Sequence, residues 1–431
     1  MSADLNRDPT PSAGPLSAAD VECAAKRIAP VVAPTPLQFC DRLSATTGAA
    51  VYLKREDLQS VRSYKLRGAY NLLVQLSEEE IAAGVVCSSA GNHAQGFAYA
   101  CRSLGIRGRV YVPAKTPRQK RDRIRYHGGD FVELIVGGST YDLAAAAALA
   151  DVARTGATLV PPYDDLRTMA GQGTVAVEIL DQLDPNIGEP DLVVVPVGGG
   201  GCIAGITTYL AERTANSSVL GVEPAGAAAM MAALAAGEPV TLDHVDQFVD
   251  GAAVNRAGTL THAALAAAGD MVSMTTVGEG AVCTAMIELY QNEGIIAEPA
   301  GALSVAALLE ADVEPGSTVV CLISGGNNDV SRYGEVLERS LVHLGLKHYF
   351  LVDFPQEPGA LRRFLDEVLG PTDDITLFEY VKRNNRDFGE ALVGIELGSA
   401  ADLDGLLARM RATEIQVEAI EPGSPAYRYL L

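Results

Sequence analysis

Several things are scarce in these 431 residues, and each scarcity removes a class of function. Positive charge is short: 33 Lys plus Arg stand against 54 Asp plus Glu, a net charge of −21. A nucleic acid or an anionic membrane surface asks for the opposite balance, so neither is expected as a partner. Long apolar runs are missing. The longest, Leu192 to Ile206, contains Pro196 and five glycines and is too short to cross a bilayer. The seven cysteines include no CxxC pair, and the six histidines show no HxxxH spacing. No metal site is expected, and the thiols suit small core side chains in a reducing cytoplasm. Residues 1–20 carry Asp, Pro and Ser without an apolar segment and read as a flexible tail, not a signal peptide.

What remains is ample core material. The chain is 48% hydrophobic and 20% charged, enough for about two or three domains. Short Val/Ile runs alternate with Ala/Leu-rich stretches from about residue 21 to 340. Val85–Cys87, Val110–Val112, Leu192–Val197, Val219–Val222 and Val319–Ile323 read as buried strands. Ala144–Ala153, Ile203–Arg213 and Glu279–Glu293 read as helices. This is α/β layering on a mostly parallel sheet. The pattern changes near Leu344. Lys347–Phe354, Ile375–Val381, Ala391–Leu397 and Ile415–Ile420 read as strands. Leu361, Phe364, Leu365 and Val368 form one helix face. A second helix follows a capping box at Ser399 to Asp402, with Leu403, Leu406, Leu407 and Met410 on one face. The order βαββαβ is ferredoxin-like. The expected division is therefore 1–20 tail, 21–340 catalytic domain and 347–431 small domain, with the boundary at 341–346.

Four motifs can carry chemistry. Gly198, Gly199, Gly200 and Gly201 follow an apolar strand and open a helix, a backbone nest for a phosphate. Gly199, Gly201 and Ala204 also satisfy G-x-G-x-x-A, with Glu223 placed as a ribose-binding acid would be. At this motif alone a dinucleotide, another phosphate and a plain tight turn all stay open. Ser63 to Ala69 holds Lys65, one of only seven lysines. A dinucleotide fold has no need of a lysine, whereas an aldehyde cofactor has. Lys54, in Lys54-Arg-Glu-Asp57, is its nearest rival, but three charged neighbours suit a solvated strand end. Ser88 to Gly96 contains Ser89, Ala90, Gly91, Asn92 and His93 at a helix start, suited to a carboxylate. There Asn92 can offer an amide, and His93 reads first as a packing residue. Ser324, before Gly325 and Gly326, ends a buried strand at the edge where ligands bind.

In this order the motifs resemble the fold-type-II pyridoxal-phosphate enzymes (tryptophan synthase β-like), and most closely the biosynthetic threonine dehydratases. Lys54 to Asp57, Asp250 to Val254 and the loop from Pro162 to Gly173 fit the same pattern. The resemblance implies a core of two subdomains, the smaller spanning roughly 71–165, and a C-terminal ACT-like regulatory domain. It implies pyridoxal 5′-phosphate as cofactor. Lys65 would hold its aldehyde, Asn92 its 3′-oxygen, Gly198 to Gly201 its phosphate and Ser324 its ring nitrogen. Ser89 to His93 would take the substrate carboxylate. The implied reaction is deamination of L-threonine to 2-oxobutanoate and ammonia, inhibited by isoleucine with valine as a candidate antagonist, in a cytoplasmic homotetramer. Pro358, Gly359, Ala360 and Leu361 are the expected part of the effector site. A catabolic serine/threonine dehydratase and a non-catalytic amino-acid sensor are the alternatives, and a nicotinamide oxidoreductase is a remote third.

Three departures matter. Tyr64 stands where the family often has Phe. Ala90 replaces the serine that related racemases use as an acid. Ala229 replaces the Asp of a Mg²⁺-binding segment that otherwise matches Glu223, Pro224 and Ala227.

Overall fold

The computed structural model describes residues 14–380, 387–413 and 415–430. One compact unit ends at Asp329 and a second begins at Val330.

The first unit holds two sheets. The larger has six strands in the spatial order Leu37–Phe39, Ala50–Arg55, Thr318–Ile323, Leu192–Pro196, Ser218–Pro224, Val272–Val277. Only the outermost pair, Leu37–Phe39 with Ala50–Arg55, is antiparallel. The smaller sheet is wholly parallel, in the order Val132–Val136, Gly108–Val112, Val85–Ser88, Thr158–Leu159. Its strands lie inside the 71–165 segment. The central strands are buried on both faces: every residue of Thr318–Ile323 is inaccessible or nearly so. That is why the sequence reads there as an unbroken apolar run. No helix among the described residues is long and apolar enough to cross a membrane.

The expected tail is shorter than the sequence suggested. Ser17 caps a helix, Ala18–Ile28, through a capping box with Asp20. Ala18, Val21, Ala24 and Ile28 are buried along one face, so Ala18 to Asp20 belong to the fold. Residues 1–13 lie outside the described residues.

The second unit is one antiparallel sheet, in the order Asp374–Tyr380, Phe388–Glu396, Lys347–Pro355, Gln416–Ala419. Helices Ala360–Glu367 and Leu403–Arg411 supply Phe364, Leu406 and Met410 to its core. This is the ferredoxin-like arrangement. Val381, the expected end of one strand, lies outside the described residues. Three details differ from expectation. Helix Tyr333–His343 groups with this unit, because Glu338 accepts hydrogen bonds from Lys347 Nζ and Tyr349 Oη of the first strand; the division therefore precedes 341–346. Of the four residues assigned to one helix face, Phe364 and Val368 are buried, but Leu361 and Leu365 are 43% and 42% exposed. Ala360, Phe364 and Val368, spaced by four, make the narrower contact stripe. Ser399 accepts the N–H of Ala401 and opens a 3₁₀ turn, Ala400–Asp402, ahead of the helix.

Candidate active site

The glycine run connects strand Leu192–Pro196 to helix Gly201–Arg213. Gly200 has φ +90°, a left-handed conformation in which a side chain is strained. Gly199 is needed for space, since a Cβ there would lie 2.3 Å from the Tyr163 ring. A Cβ on Gly198 would lie 2.9 Å from the Ala252 carbonyl, so the Asp250 to Val254 loop buttresses the run from the other side. Among the described residues, no protein acceptor takes the N–H groups of Gly198 to Gly201. Four open donors at the positive end of a 13-residue helix suit a dianion.

Lys65 begins helix Lys65–Leu73. Its Nζ donates to Pro162 O at 3.3 Å and lies 5.0 Å from the Tyr64 ring centroid. Burial pulls its pKa down to about 8, against the opposing influence of Cys202 and Glu298. Asn92 begins helix Asn92–Leu104, which packs close on the Lys65 helix: a Cβ on Gly96 would sit 3.0 Å from Leu66 N. Ser89 Oγ accepts the Gly91 N–H at 3.3 Å and shapes that helix start. His93 Nε2 contacts Val160 O at 2.8 Å, while Nδ1 has no protein partner. Burial drops the His93 pKa to about 4, so at neutral pH the ring is uncharged and Nε2 carries the proton toward the carbonyl. That is the packing histidine the sequence suggested.

Ser324 follows strand Thr318–Ile323 and is 3% exposed, its Oγ 3.3 Å from Ala300 O. Its carbonyl accepts the Tyr64 N–H at 3.2 Å, and Ser63 forms a bridge with Gly325. Arg62, just before, has φ +58°, unusual for a residue with a side chain, and its carbonyl accepts the Gly326 N–H. Strained backbone thus joins the lysine segment to the Ser324 turn. Val160, Pro162 and Tyr163 touch His93, Lys65 and the glycine run in turn. All four motifs therefore meet.

One expectation fails. Lys54 is fully buried, not a solvated strand end. Its Nζ donates to Thr35 O and Glu178 Oε2, each at 2.6 Å, and to Gln182 Oε1 at 3.1 Å. Glu56 pairs with the buried Arg67 guanidinium at 2.7 Å, and Glu178 pairs with it at 2.6 Å. Lys54, Arg67, Glu56 and Glu178 form a closed quartet of zero net charge. The sequence neighbours of Lys54 were misleading because its side-chain partners, Glu178 and Gln182, come from helix Leu166–Gln182, and its third acceptor is the Thr35 carbonyl.

One residue was missed. Glu298 is 5% exposed and accepts from Asn92 Nδ2 at 2.5 Å. Burial, aided by Asp250, raises its pKa to about 7. The only sequence signal was an acid placed before Pro299 inside the apolar run from Ile295 to Leu303. Glu223 is spent differently: its carboxylate accepts the N–H groups of Met230 and Met231 at 2.7 and 2.8 Å. Among the described residues no cluster suits a metal ion.

The site fits pyridoxal phosphate. The open N–H nest accommodates a phosphate, and Lys65, with one long contact to a carbonyl, has an amine available to an aldehyde.

Comparison with known proteins agrees. Residues 28–325 match the pyridoxal-phosphate dependent enzyme family, and residues 338–430 match the C-terminal regulatory domain of threonine dehydratase. A biosynthetic L-threonine dehydratase IlvA of Mycobacterium bovis is 87% identical over 100% of both chains. One of Bacillus subtilis is 51% identical over 90% of this chain and 91% of its own. The processed threonine deaminase isoform 2 of Solanum lycopersicum has a TM-score of 0.68 at 35% identity, covering 76% of this chain and 96% of its own. A maize serine racemase has a TM-score of 0.69 at 30% identity, over 77% and 99%.

Proposed function

The chain belongs to the pyridoxal-phosphate-dependent enzymes, and within them to the biosynthetic threonine dehydratases, and from that membership we propose how its residues work. It is a lyase that converts L-threonine to 2-oxobutanoate and ammonia at the head of isoleucine synthesis. The observation that carries the residue assignment is the convergence of an amine of lowered pKa with two helix starts, one of them preceded by four glycines whose N–H groups no described acceptor takes.

Bound pyridoxal phosphate supplies an aldehyde that captures the substrate amine and a ring that takes up the electron pair left at Cα. The protein does the rest. Gly198 to Gly201 hold the phosphate with backbone N–H groups. Asn92 turns its amide toward the ring oxygen, and the Ser324 hydroxyl meets the ring nitrogen. Ser324 is neutral, so it does not hold a proton on that nitrogen as a carboxylate would. The backbone loop from Ser89 to His93 orients the substrate carboxylate, with the Gly91 N–H shared with Ser89 Oγ. Lys65 Nζ, in its uncharged form, removes the Cα proton. The β-hydroxyl takes up a proton and leaves as water, which balances the proton removed from Cα, and the released enamine is hydrolysed by water in solution to the 2-oxo acid and ammonia. Ala90 brings no hydroxyl to the opposite face of Cα, which favours elimination over racemisation.

The regulatory unit contains a cavity of about 200 Å³ lined by the end of strand Lys347–Pro355, the start of helix Ala360–Glu367 and strand Asp374–Tyr380. Phe354, Leu361 and Phe378 offer apolar surface, while Gly359 and Arg362 frame one side. Isoleucine is the proposed occupant; of the predicted Pro358 to Leu361 segment, Gly359, Ala360 and Leu361 line this space. An effector works only by binding two states unequally. Assembly as a homotetramer in the cytoplasm completes the reading.

The test is 2-oxo acid formation from threonine by the cofactor-loaded protein with isoleucine titrated in. Turnover suppressed by isoleucine supports the whole reading. Turnover indifferent to isoleucine keeps the lyase and removes the effector. No turnover of threonine overturns the substrate assignment.

A further inference from the structure

Glu298 stands at the entry of helix Pro299–Glu310 but does not cap it with its side chain. Its carboxylate turns to Asn92 instead. Asn92 Oδ1 accepts from Asn327 Nδ2 at 2.7 Å, and the same Nδ2 donates to Val61 O at 2.8 Å. This chain fixes the direction of the Asn92 amide. A flipped amide would set its oxygen against the Glu298 carboxylate and its NH₂ against the Asn327 NH₂. One Nδ2 hydrogen goes to Glu298, which leaves the other for a ligand. The Ser324 turn packs on the same residue. Glu298 N donates to Gly325 O at 3.1 Å, and a Cβ on Gly325 would lie 2.3 Å from Glu298 Oε1.

We propose that Glu298 is a positioning residue for the reaction centre: its carboxylate holds the Asn92 amide with one N–H directed at the cofactor's ring oxygen. This rests on the assignment of Asn92 above. The groups around Glu298 make the arrangement responsive to pH. Burial is the main influence and raises its pKa to about 7; Asp250 raises it further, while Asn92, Lys120 and the Asn327 N–H lower it. Lys65 in turn senses the Glu298 charge. Below about pH 7 Glu298 takes up a proton, its pull on the Asn92 amide weakens, and the charge facing the lysine is lost.

The test uses the full-length protein, its bound-cofactor absorbance as a function of pH, and the affinity for added pyridoxal phosphate. Glu298→Gln keeps an oxygen for Asn92 but cannot titrate. It is expected to hold cofactor affinity within about threefold and to lose the spectral transition near neutrality. Glu298→Ala removes the acceptor and is expected to weaken affinity about tenfold, the scale of one charge-assisted hydrogen bond. Affinities and absorbance curves unchanged in both variants would overturn the proposal. A wild-type protein that binds no cofactor would overturn the assignment of Asn92 as well. Where Glu298→Ala fails to fold, the absorbance curve of Glu298→Gln decides.

Discussion

Two lysines of the catalytic unit, eleven positions apart, sit in opposite surroundings. Lys54 is sealed in with three oxygen acceptors, one of them the Glu178 carboxylate, inside a quartet whose charges cancel. Lys65 is half-buried and has a single carbonyl at 3.3 Å. Burial lowers the pKa of both. At Lys54, Glu178 and Glu56 oppose that effect and the amine is fully engaged. Lys65 has no ion pair among the described residues to do the same. Burial alone therefore does not leave a lysine amine unengaged; burial without a matched partner does.

The sharpest way to break this contrast is to exchange the losses. Lys65→Ala is expected to cut turnover about a thousandfold or more and to abolish the yellow absorbance, with little change in folding stability. Retained colour and turnover would remove Lys65 from the mechanism. Lys54→Met should do the reverse. Cofactor colour persists, but urea unfolding shows a loss of about 3 kcal/mol, because Glu178 and Thr35 lose a buried donor. A stable Lys54→Met protein would mean that the quartet is held by Arg67 alone.

Gly199→Ala probes the other half of the Lys65 environment. Its Cβ must displace the Tyr163 ring or the loop, at about 1–3 kcal/mol, so cofactor affinity should drop about tenfold or more while Lys54 and its partners are untouched. Unchanged affinity in a calorimetric titration would show that the nest is not the phosphate site. The smallest effect is on pH. With a pKa of about 8, roughly 20% of Lys65 is uncharged at pH 7.4, against roughly 0.1% for an ordinary lysine. The rate at which cofactor-free protein turns yellow should rise with pH and level off above about 8. The sign also fixes a stability trend. Between about 8 and 10.5 the unfolded chain holds a proton that the folded, cofactor-free chain has lost, so this lysine's contribution to stability rises with pH there. A capture rate still climbing beyond pH 10 would place Lys65 in water.

The same contrast shows how far the sequence could be read. Glycine runs, a strand end and a helix start are local signals, and Gly198 to Gly201, Ser89 to His93, Ser324 and Lys65 all stood out. Helix Glu279–Glu293 has the bounds its pattern implied. Lys54 did not stand out correctly, because its neighbours along the chain are charged but its partners are Thr35 and Glu178. Glu298 left almost no signal: its contact with Asn92 spans 206 positions. In the regulatory unit, apolar spacing located the helix at Ala360, but the sheet beneath chose Phe364 and Val368 over Leu361 and Leu365.

By itself, then, the sequence determined the layered α/β core, the ferredoxin-like order of the last segment and the backbone motifs of the site. Periodicity, glycine geometry and helix starts depend on residues a few positions apart, so they survive in one dimension. Which lysine is locked into an ion-pair network and which is left without one was decided only in three dimensions. A charge responds to whatever lies within a few ångströms, and in this protein those groups arrive from strands and helices more than a hundred positions away.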